Sequence, residues 1–417
     1  MPIRHDRFGH PVTTATSATV EAIDRFTIQV LSHGKEAGAL LAAAEADPDC
    51  GLLQAYVGAL HLFLQTAEGM DKAAPYLTRA RALARTASER EQLTLAALDA
   101  WRTGAPERAL DLHRRIALTW PRDLLNLKLA QIHQLNRGDR AGMRELAEAA
   151  LTHGREHSYA WGMLAFALEQ AGALDAAEDA GRRAVGMNRD DPWAQHAVAH
   201  VLEARRDPDG GLAFLAPLSG TWDRCSSFMY THNWWHAALF RLDLDDAAAA
   251  LALFDARVWG VRKTYVQDQI NAVSLLSRLE LRGVDVGNRW ADVAAHVGPR
   301  IDDRQNAFLD LHYLYALARA GEDEAAAEML AGMRAHAAIA SPSSRVIWSE
   351  VAVPAARGLA AHARRRFAEA ASALGSVLPR MFLLGGSTAQ QAWFEQLYQD
   401  SRRQLESAPD LRQGICA

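Results

Sequence analysis

Cysteine is scarce in this chain of 417 residues. The three cysteines, Cys50, Cys225 and Cys416, lie far apart in the sequence. So few cysteines at such wide spacings cannot build a disulfide framework or a cysteine-based zinc motif. Because this usage is typical of a reducing compartment, we expect a cytoplasmic protein.

The sequence also lacks the features of nucleic-acid and membrane proteins. Its net charge of -5 gives no basic face for a phosphate backbone. The longest apolar runs, at 52–64 and 247–254, are too short or too interrupted to span a bilayer. The first six residues contain no apolar region of a signal peptide. We expect neither nucleic acid nor a membrane as a partner, and the sequence leaves the oligomeric state open.

Catalytic fingerprints and strand patterns are absent as well. The sequence contains no Walker A motif, no dinucleotide-binding glycine fingerprint and no Gly-x-Ser-x-Gly elbow. No segment alternates apolar and polar residues for long with enrichment in β-branched side chains, so strands are not expected. Without these motifs, the sequence chiefly predicts a helical architecture.

Apolar residues recur at spacings of three and four from about residue 18 onward, interrupted at short intervals by turns rich in Gly or Asp. The segment from Trp161 through Gly172 to Pro192 follows the tetratricopeptide pattern, and Trp193 follows Trp161 by 32 residues. Similar helix-turn-helix units are predicted at about 51–86, 91–120, 124–152, 228–258, 267–297, 306–335 and 345–376.

The pattern therefore predicts an all-α fold, a right-handed α–α superhelix of irregular tetratricopeptide-like repeats. We expect an irregular lead-in at 1–17, one solenoid domain at 18–408 and a tail at 409–417. Stacked helical hairpins curve into a concave surface, on which residues at the same register of successive repeats line up.

Histidines recur at one register of these predicted repeats. His200, His236 and His312 each stand nine residues before a turn, at Asp209, Asp245 and Gly321. The densest run of polar aromatic residues is Tyr230–His236, in which His232 and His236 share one face of a helix. His196 and His200 repeat the same spacing. We expect these histidines to gather in the middle of the solenoid.

A cluster of imidazoles with carboxylates suits ligand binding or acid–base chemistry near neutral pH. Our leading hypothesis is a concave pocket that binds a small polar molecule or a peptide segment. Its predicted lining is His196, His200, Glu203, His232, Asn233, Trp235, His236, Asp268, Asn271 and His312.

Other interpretations of the same residues stay open. In an enzyme, the catalytic groups would be His200, Glu203, His236 and Asp268, with metal assistance as one variant. In a protein-interaction scaffold, the histidines would be satisfied core residues. No metal ligand and no cofactor is assigned, because His-x3-His spacing is common in helices and the Glu of a His-Glu-x-x-His motif is missing. Gly385-Gly386-Ser387 is predicted to begin a helix with a capping box to Gln390.

Several strings resemble the tetratricopeptide repeat protein 38 family over nearly the whole chain. The most specific string is Thr231-His-Asn-Trp-Trp-His236, and the chain departs from the family by carrying Thr388 and Gln391 where the family has His and Arg. The other matching strings are His196-x3-His-Val-Leu-Glu203, Asp268-x2-Asn271 through Gly283, Val286–Trp290, Asp310-x-His312, Gly385–Ser387, Asp6–Gly9 and Asp47–Asp49. The resemblance implies an all-helical tetratricopeptide-like superhelix and supplies no activity.

Overall fold

A computed structural model describes residues 2–407 of the chain. The contacts divide the chain into two compact units, one ending at Asp246 and the other beginning at Ala247. The repeat pattern predicts one domain at 18–408. Helical hairpins contact chiefly their neighbours, which lets a long helical chain form more than one compact unit. The predicted tail at 409–417 and Cys416 lie outside the described residues.

The first unit is built almost entirely of helices. Its helices are α1 (Ser17–Leu31), α2 (Leu40–Ala46), α3 (Gly51–Leu62), α4 (Ala67–Leu83), α5 (Glu89–Arg102), α6 (Pro106–Thr119), α7 (Leu124–Leu135), α8 (Arg140–Leu151), α9 (Ser158–Gln170), α10 (Leu174–Met187), α11 (Pro192–Ala204), α12 (Pro208–Leu215) and α13 (Ser227–Asp243). Short 3-10 helices lie at Ala37–Ala39, Ala84–Thr86 and Ala216–Arg224.

The predicted repeats of the first unit are confirmed as antiparallel helical hairpins. Within each hairpin the two helices pack together, as α9 does with α10, and the first helix also packs on the first helix of the next hairpin, as α9 does on α11 and α11 on α13. The first helices are therefore buried on most sides, whereas second helices such as α10 bury one face. This nearest-neighbour packing is the arrangement of an α-solenoid.

Aspartates begin several of these helices. The carboxylates of Asp123, Asp139, Asp191 and Asp207 each accept a hydrogen bond from the backbone N–H three residues later. Such side-chain caps satisfy a backbone donor that the first turn of a helix leaves without a partner. They explain why Asp-containing turns mark the hairpin boundaries in the sequence.

The N-terminal lead-in differs from the strand-free segment expected from the sequence. Strands β1 (Ile3–His5) and β2 (Pro11–Thr13) pair antiparallel. The connecting turn is closed by Asp6, whose Oδ1 accepts from the backbone N–H groups of Phe8 and His10. The backbone N–H of Thr13 donates to Glu91 on α5 at 2.9 Å. Strands of three residues are too short to produce an alternating pattern in the sequence.

The second unit is also helical. Its helices are α14 (Ala247–Leu253), α15 (Val266–Leu281), α16 (Arg289–Val297), α17 (Ala307–Ala320), α18 (Asp323–Ile339), α19 (Pro342–Ile347), α20 (Val353–Ala363), α21 (Phe367–Val377) and α22 (Thr388–Ser407), with π-helical turns at Phe254–Val258 and Trp348–Ala352 and 3-10 helices at Gly298–Arg300 and Leu378–Leu384. Here α15, α17 and α20 contact their own second helices, and α22 returns to pack against α15 and α20. The predicted units at 267–297, 306–335 and 345–376 correspond to these hairpins.

One stretch within residues 2–407, Phe367–Leu384, is long and apolar enough to cross a membrane by length and composition. Its mean hydropathy is 1.2 and 28% of it is buried. The stretch changes from α-helix to 3-10 helix at Leu378 and contains Pro379 and Arg380. A single stretch of this kind is weak evidence for a membrane segment.

Close packing between α10 and α11 gives a testable consequence at Gly181. A Cβ placed on Gly181 would lie 2.6 Å from Cγ2 of Val198, whose β-branched side chain cannot easily move away. We expect Gly181→Ala to lower the free energy of unfolding by about 1–2 kcal/mol, because the added methyl overpacks this contact. Gly186, on the same helix, has no atom within 4 Å of its built Cβ. Gly186→Ala should therefore raise the free energy of unfolding by about 0.5–1 kcal/mol. Urea titrations measure both variants, and equal effects of the two substitutions would contradict the close contact between Gly181 and Val198.

Candidate functional site

Two histidine pairs meet where α11 packs against α13. His196 and His200 lie one turn apart on α11, and His232 and His236 lie one turn apart on α13. The rings face each other across the two helices: the centroids of His196 and His232 are 4.8 Å apart, and those of His200 and His236 are 4.5 Å apart. The common register of the two pairs, read from the turns, therefore corresponds to direct contact.

One ring nitrogen from each of these four histidines lies within 4.8 Å of the other three. Nε2 of His196 is 2.9 Å from Nε2 of His200 and 3.0 Å from Nε2 of His232. Four ligands around a tetrahedral zinc ion at about 2.0–2.1 Å stand roughly 3.3 Å apart. The four-histidine cluster is thus close to the size of a metal coordination shell.

The four-histidine cluster is buried, with exposures of 0–3%. Phe166 packs against both His196 and His200, and Trp193 packs against His196. The indole of Trp235 stacks on the His232 ring at 5.2 Å with 8° between the planes. This aromatic lining excludes water and lowers the local dielectric, which strengthens any charge interaction inside it.

Burial also controls the protonation of these rings. It lowers the pKa of His196 and of His200 well below the ordinary value, and the neighbouring histidines lower both further. His196 and His200 are therefore neutral near pH 7, and neutral imidazole is the form that binds a metal ion.

Two carboxyl groups lie beside the outer nitrogens of His236 and His200. Oε2 of Glu203 lies 3.0 Å from Nδ1 of His236, and Oε2 of Glu169 lies 3.6 Å from Nδ1 of His200. Carboxylates on the outer nitrogen of a histidine fix the tautomer in which the inner nitrogen faces a metal. Burial raises the pKa of Glu169 to about 8. Glu169 is not among the predicted site residues, although it is a lone acidic residue at the end of the apolar run 160–168.

Hydrogen bonds within residues 2–407 do not satisfy every polar atom of this region. Nδ1 of His196 and Nε2 of His236 have no hydrogen-bond partner there, and neither do the two side-chain amide atoms of buried Asn233. Unsatisfied buried polar atoms are rare in folded proteins and call for a bound water, ion or ligand. The free Nε2 of His236, whose other nitrogen already faces Glu203, is the atom a metal ion would satisfy.

The two tryptophans of the Tyr230–His236 run have different surroundings. Trp235 is buried against His232 and His236, whereas half-buried Trp234 packs edge-on against Trp222. Neighbouring residues on a helix point to different sides, as the sequence analysis assumed. Of the two, Trp235 lines the four-histidine cluster.

The remaining predicted site residues belong to the second unit. Asp268 and Asn271 are buried on α15, and His312 is buried on α17. His312 Nδ1 donates to the carbonyl oxygen of Phe308 at 2.8 Å, and its ring packs 4.5 Å from that of Trp393. The convergence of Asp268, Asn271 and His312 with the histidines of the first unit stays a prediction.

The predicted capping box at the start of α22 is confirmed. The backbone N–H of Gln390 donates to Ser387 Oγ at 3.3 Å, and the backbone N–H of Ser387 donates to Gln390 Oε1 at 2.9 Å. Gly386 has a φ of +80°, and a Cβ there would lie 2.6 Å from the Phe308 ring. Both the conformation and the packing of Gly386 explain why glycine stands at this turn.

Buried histidines outside the four-histidine cluster make stability depend on pH. Burial lowers the pKa of His113 to about 4, against a partly compensating hydrogen bond in which His113 Nδ1 donates to Asn126 Oδ1. The unfolded chain binds a proton at this ring below about pH 6.5, and the folded chain only below about pH 4. The contribution of His113 to the free energy of unfolding is therefore fully present above pH 6.5 and is lost as the pH falls from 6.5 to 4.

We expect this loss to amount to roughly 3 kcal/mol for His113 alone. Urea titrations of the wild type and of His113→Gln at pH 7, 5.5 and 4.5 measure it. The difference in stability between the two proteins should shrink as the pH falls. A difference that stays constant over this range would show that His113 is not held neutral by burial.

The stacked hairpins and the site between them define an all-α helical-repeat protein of the tetratricopeptide-like class. No family model matches the sequence. Among solved structures, the chain is similar to one described as "Crystal structure of APC/C hetero-tetramer Cut9-Hcn1", with 12% identity, a TM-score of 0.43 and coverage of 86% of this chain and 64% of that chain. This chain thus spans less than two thirds of the length of that one. It is also similar to the TPR domain of P58(IPK), with 14% identity, a TM-score of 0.22 and coverage of 95% and 100% of the two chains.

Proposed function

We propose that the first unit binds a divalent transition-metal ion, with zinc the first choice, through His196, His200, His232 and His236. The observation that carries this proposal is the placement of one ring nitrogen from each histidine within 4.8 Å of the others. Imidazole nitrogen suits zinc, copper and nickel and is a poor ligand for magnesium or calcium. Zinc accepts four such ligands in a tetrahedron without a preference imposed by d electrons.

The size of the site favours an ion over the larger ligands expected from the sequence. A small polar molecule or a peptide needs exposed lining residues, whereas the exposures of the four rings are 0–3%. An ion needs only the space between the nitrogens. Glu203, on the outer nitrogen of His236, supplies the supporting hydrogen-bond acceptor that metal-binding histidines use, and Glu169 lies 3.6 Å from the outer nitrogen of His200.

Four protein ligands leave no open position on a tetrahedral ion. Such closed sites are structural, whereas catalytic zinc sites keep one position for water or substrate. The proposed role of the ion is therefore to fasten α11 to α13, the first helices of neighbouring hairpins. In this role the metal stabilises the repeat that presents the surface of a cytoplasmic binding protein.

We also propose a relationship with the tetratricopeptide repeat protein 38 family. The two strings that contain the metal-binding pairs, Thr231–His236 and His196–Glu203, are among those that carry the resemblance. Under this proposal, the residues that carry the resemblance include the four histidines of the metal centre.

Metal content tests the proposed function. The purified full chain is stripped with a chelator, loaded with zinc, desalted and analysed by elemental mass spectrometry. We expect about one zinc per chain in the wild type and less than about a tenth in a His200→Gln/His236→Gln double variant. The control is His113→Gln, which removes a histidine that is equally buried in the same unit. Wild-type binding below about a tenth of an equivalent would exclude the metal centre.

A groove beside α4, α5 and α6 supports a second function, the binding of an acidic segment of a partner protein. The groove has a volume of about 550 Å³, and its lining includes Arg81, Arg85 and Arg108. Arg81 pairs with Asp99, whereas Arg85 and Arg108 form no ion pair with any residue in 2–407. Two unpaired guanidinium groups at a groove attract carboxylates.

A labelled deca-glutamate peptide tests this groove by fluorescence anisotropy. We expect saturable binding that weakens as the salt concentration rises, and at least a tenfold loss of affinity in Arg85→Glu/Arg108→Glu. Arg155→Glu, at an exposed position away from the groove lining, should bind like the wild type. Equal binding by both variants would place the acidic-peptide site elsewhere or remove it.

A further inference from the structure

A circuit of hydrogen bonds in the second unit begins and ends on α22. Trp393 Nε1 donates to Ser277 Oγ on α15 at 2.8 Å, and Ser277 Oγ donates to the Tyr315 hydroxyl on α17 at 3.4 Å. The ring of His362 on α20 continues the circuit, with Nδ1 3.2 Å from the Tyr315 hydroxyl and Nε2 3.0 Å from Oδ2 of Asp400, again on α22. This hydrogen-bond circuit therefore joins four helices through five buried side chains.

The chemistry of these groups allows one arrangement of protons in the hydrogen-bond circuit. An indole nitrogen can only donate, so Ser277 accepts from Trp393 and directs its own hydrogen to Tyr315. The Tyr315 hydroxyl then donates to Nδ1 of His362, which carries no proton. The single proton of a neutral imidazole consequently lies on Nε2, where it faces Asp400. Four hydrogens fill four contacts, but only while His362 is neutral.

The C-terminal half of α22 depends on this contact with α20. Among residues 398–407, only Asp400 and Ser401 are buried. Ser401 Oγ donates to the carbonyl oxygen of Leu397, which lies in the same helix. The hydrogen bond between His362 and Asp400 is therefore the buried polar contact that fastens this half of α22 to another helix.

Charges of both signs surround His362, and most of them are paired. The charged groups around it are Asp400 and Arg403 on α22, Arg319 on α17, Glu280 on α15, and Arg364, Arg365 and Arg366 in the turn after α20. Arg319 pairs with Glu280, Arg364 with Asp323 on α18, Arg366 with Glu369 on α21, and Arg365 lies over the Phe367 ring. Burial lowers the pKa of His362, although Asp400 acts in the opposite direction.

We propose that His362 is a pH-sensitive latch, which holds the C-terminal half of α22 against α20 and releases it on acidification. A proton added at Nδ1 would point at the hydrogen of the Tyr315 hydroxyl. Five hydrogens would then share four contacts, so one buried donor loses its acceptor. This latch belongs to the second unit and needs no metal ion.

The direction of the pH effect follows from the lowered pKa of His362. Below about pH 6.5, the released state binds a proton at this ring more readily than the docked state does. Docking of α22 is therefore strongest above about pH 6.5 and weakens as the pH falls through the lower value of the docked ring.

Amide hydrogen–deuterium exchange on the purified full chain tests the latch between pH 7.5 and 5.5. Rates are corrected for the intrinsic pH dependence of exchange and read by peptide mass spectrometry. We expect protection in peptides from residues 396–404 to fall at least threefold over this range. Peptides from α16, which packs on α15 and α17 in the same unit, should keep their protection. An equal loss in α16 would show general loosening of the unit and would overturn the proposal.

Variants of the hydrogen-bond circuit should shift the response in opposite directions. Tyr315→Phe removes the donor to Nδ1 of His362, so the loss of protection should begin at a higher pH. Asp400→Asn removes the charge that favours the imidazolium form, so the loss should begin at a lower pH. His362→Gln should abolish the response, whereas His296→Gln, which removes a half-buried histidine of α16, should respond like the wild type. Absence of the opposite shifts, or an unchanged response in His362→Gln, would also overturn the latch.

Discussion

Under the proposed metal centre, chelation of the ion is expected to loosen α11 and α13 and to leave the second unit unchanged. An ion that binds the folded chain alone adds about 4 kcal/mol of stability when its free concentration is a thousand times its dissociation constant. Without the ion, four buried imidazoles face one another with too few hydrogen-bond acceptors. The helices that hold them should therefore open more often.

Hydrogen–deuterium exchange read out by peptide mass spectrometry resolves this effect by helix. Peptides from α11 and α13 should exchange at least tenfold faster after treatment with chelator, whereas peptides from α17 should not change. His200→Gln/His236→Gln should exchange fast with or without chelator, and His113→Gln should respond like the wild type. Chelator-independent exchange in the wild type would show that the four-histidine cluster is stable on its own.

Replacement of Arg90 by alanine is expected to cost about 3–5 kcal/mol, because it leaves a buried carboxylate without its partner. Arg90 and Asp123 are both almost fully buried, and Arg90 Nη1 donates to Asp123 Oδ2 at 2.8 Å. Burial acts to raise the pKa of Asp123, but Arg90 outweighs it and holds this pKa below the ordinary value. Arg90 Nη2 also donates to the carbonyl oxygen of Pro11, which attaches the N-terminal hairpin to α5.

A neighbouring ion pair supplies the control for this substitution. Arg115 on α6 pairs with Glu89, which lies on α5 beside Arg90, but both side chains of this pair are more than half exposed. Arg115→Ala should therefore cost less than about 1 kcal/mol in the same urea titration. Equal losses for Arg90→Ala and Arg115→Ala would contradict the burial of the pair.

The lowered pKa of Asp123 also determines how the stability contributed by this ion pair changes with pH. Its ion pair contributes stability above the pKa of an unfolded aspartate, and this contribution is lost as the pH falls through the lower folded value. The stability difference between the wild type and Arg90→Ala should therefore narrow in strong acid.

The sequence predicts the hairpins well because their signals are local. Apolar spacing, Asp caps and Gly turns such as Gly172 each act within a few residues. The histidine register is predictable for the same reason, since equal distances from two turns place His200 and His236 at equivalent positions. Contact between these rings then follows from the packing of first helices on one another.

Features that depend on contacts between distant segments cannot be predicted from such local sequence signals. Glu169 joins the site because α9 packs on α11, and nothing near Glu169 in the sequence shows this. The N-terminal strands depend on Glu91 and Arg90, about 80 residues away. The sequence alone assigns no metal, because two common His-x3-His pairs can form a ligand set only when their helices face each other.

X-ray absorption spectroscopy at the zinc edge of the zinc-loaded full chain is the most direct measurement of the central claim. The account predicts four nitrogen ligands at about 2.0–2.1 Å with the multiple-scattering pattern of imidazole, and loss of that spectrum in His200→Gln/His236→Gln. Failure of the wild type to retain zinc, or a shell dominated by oxygen or sulfur, would contradict it.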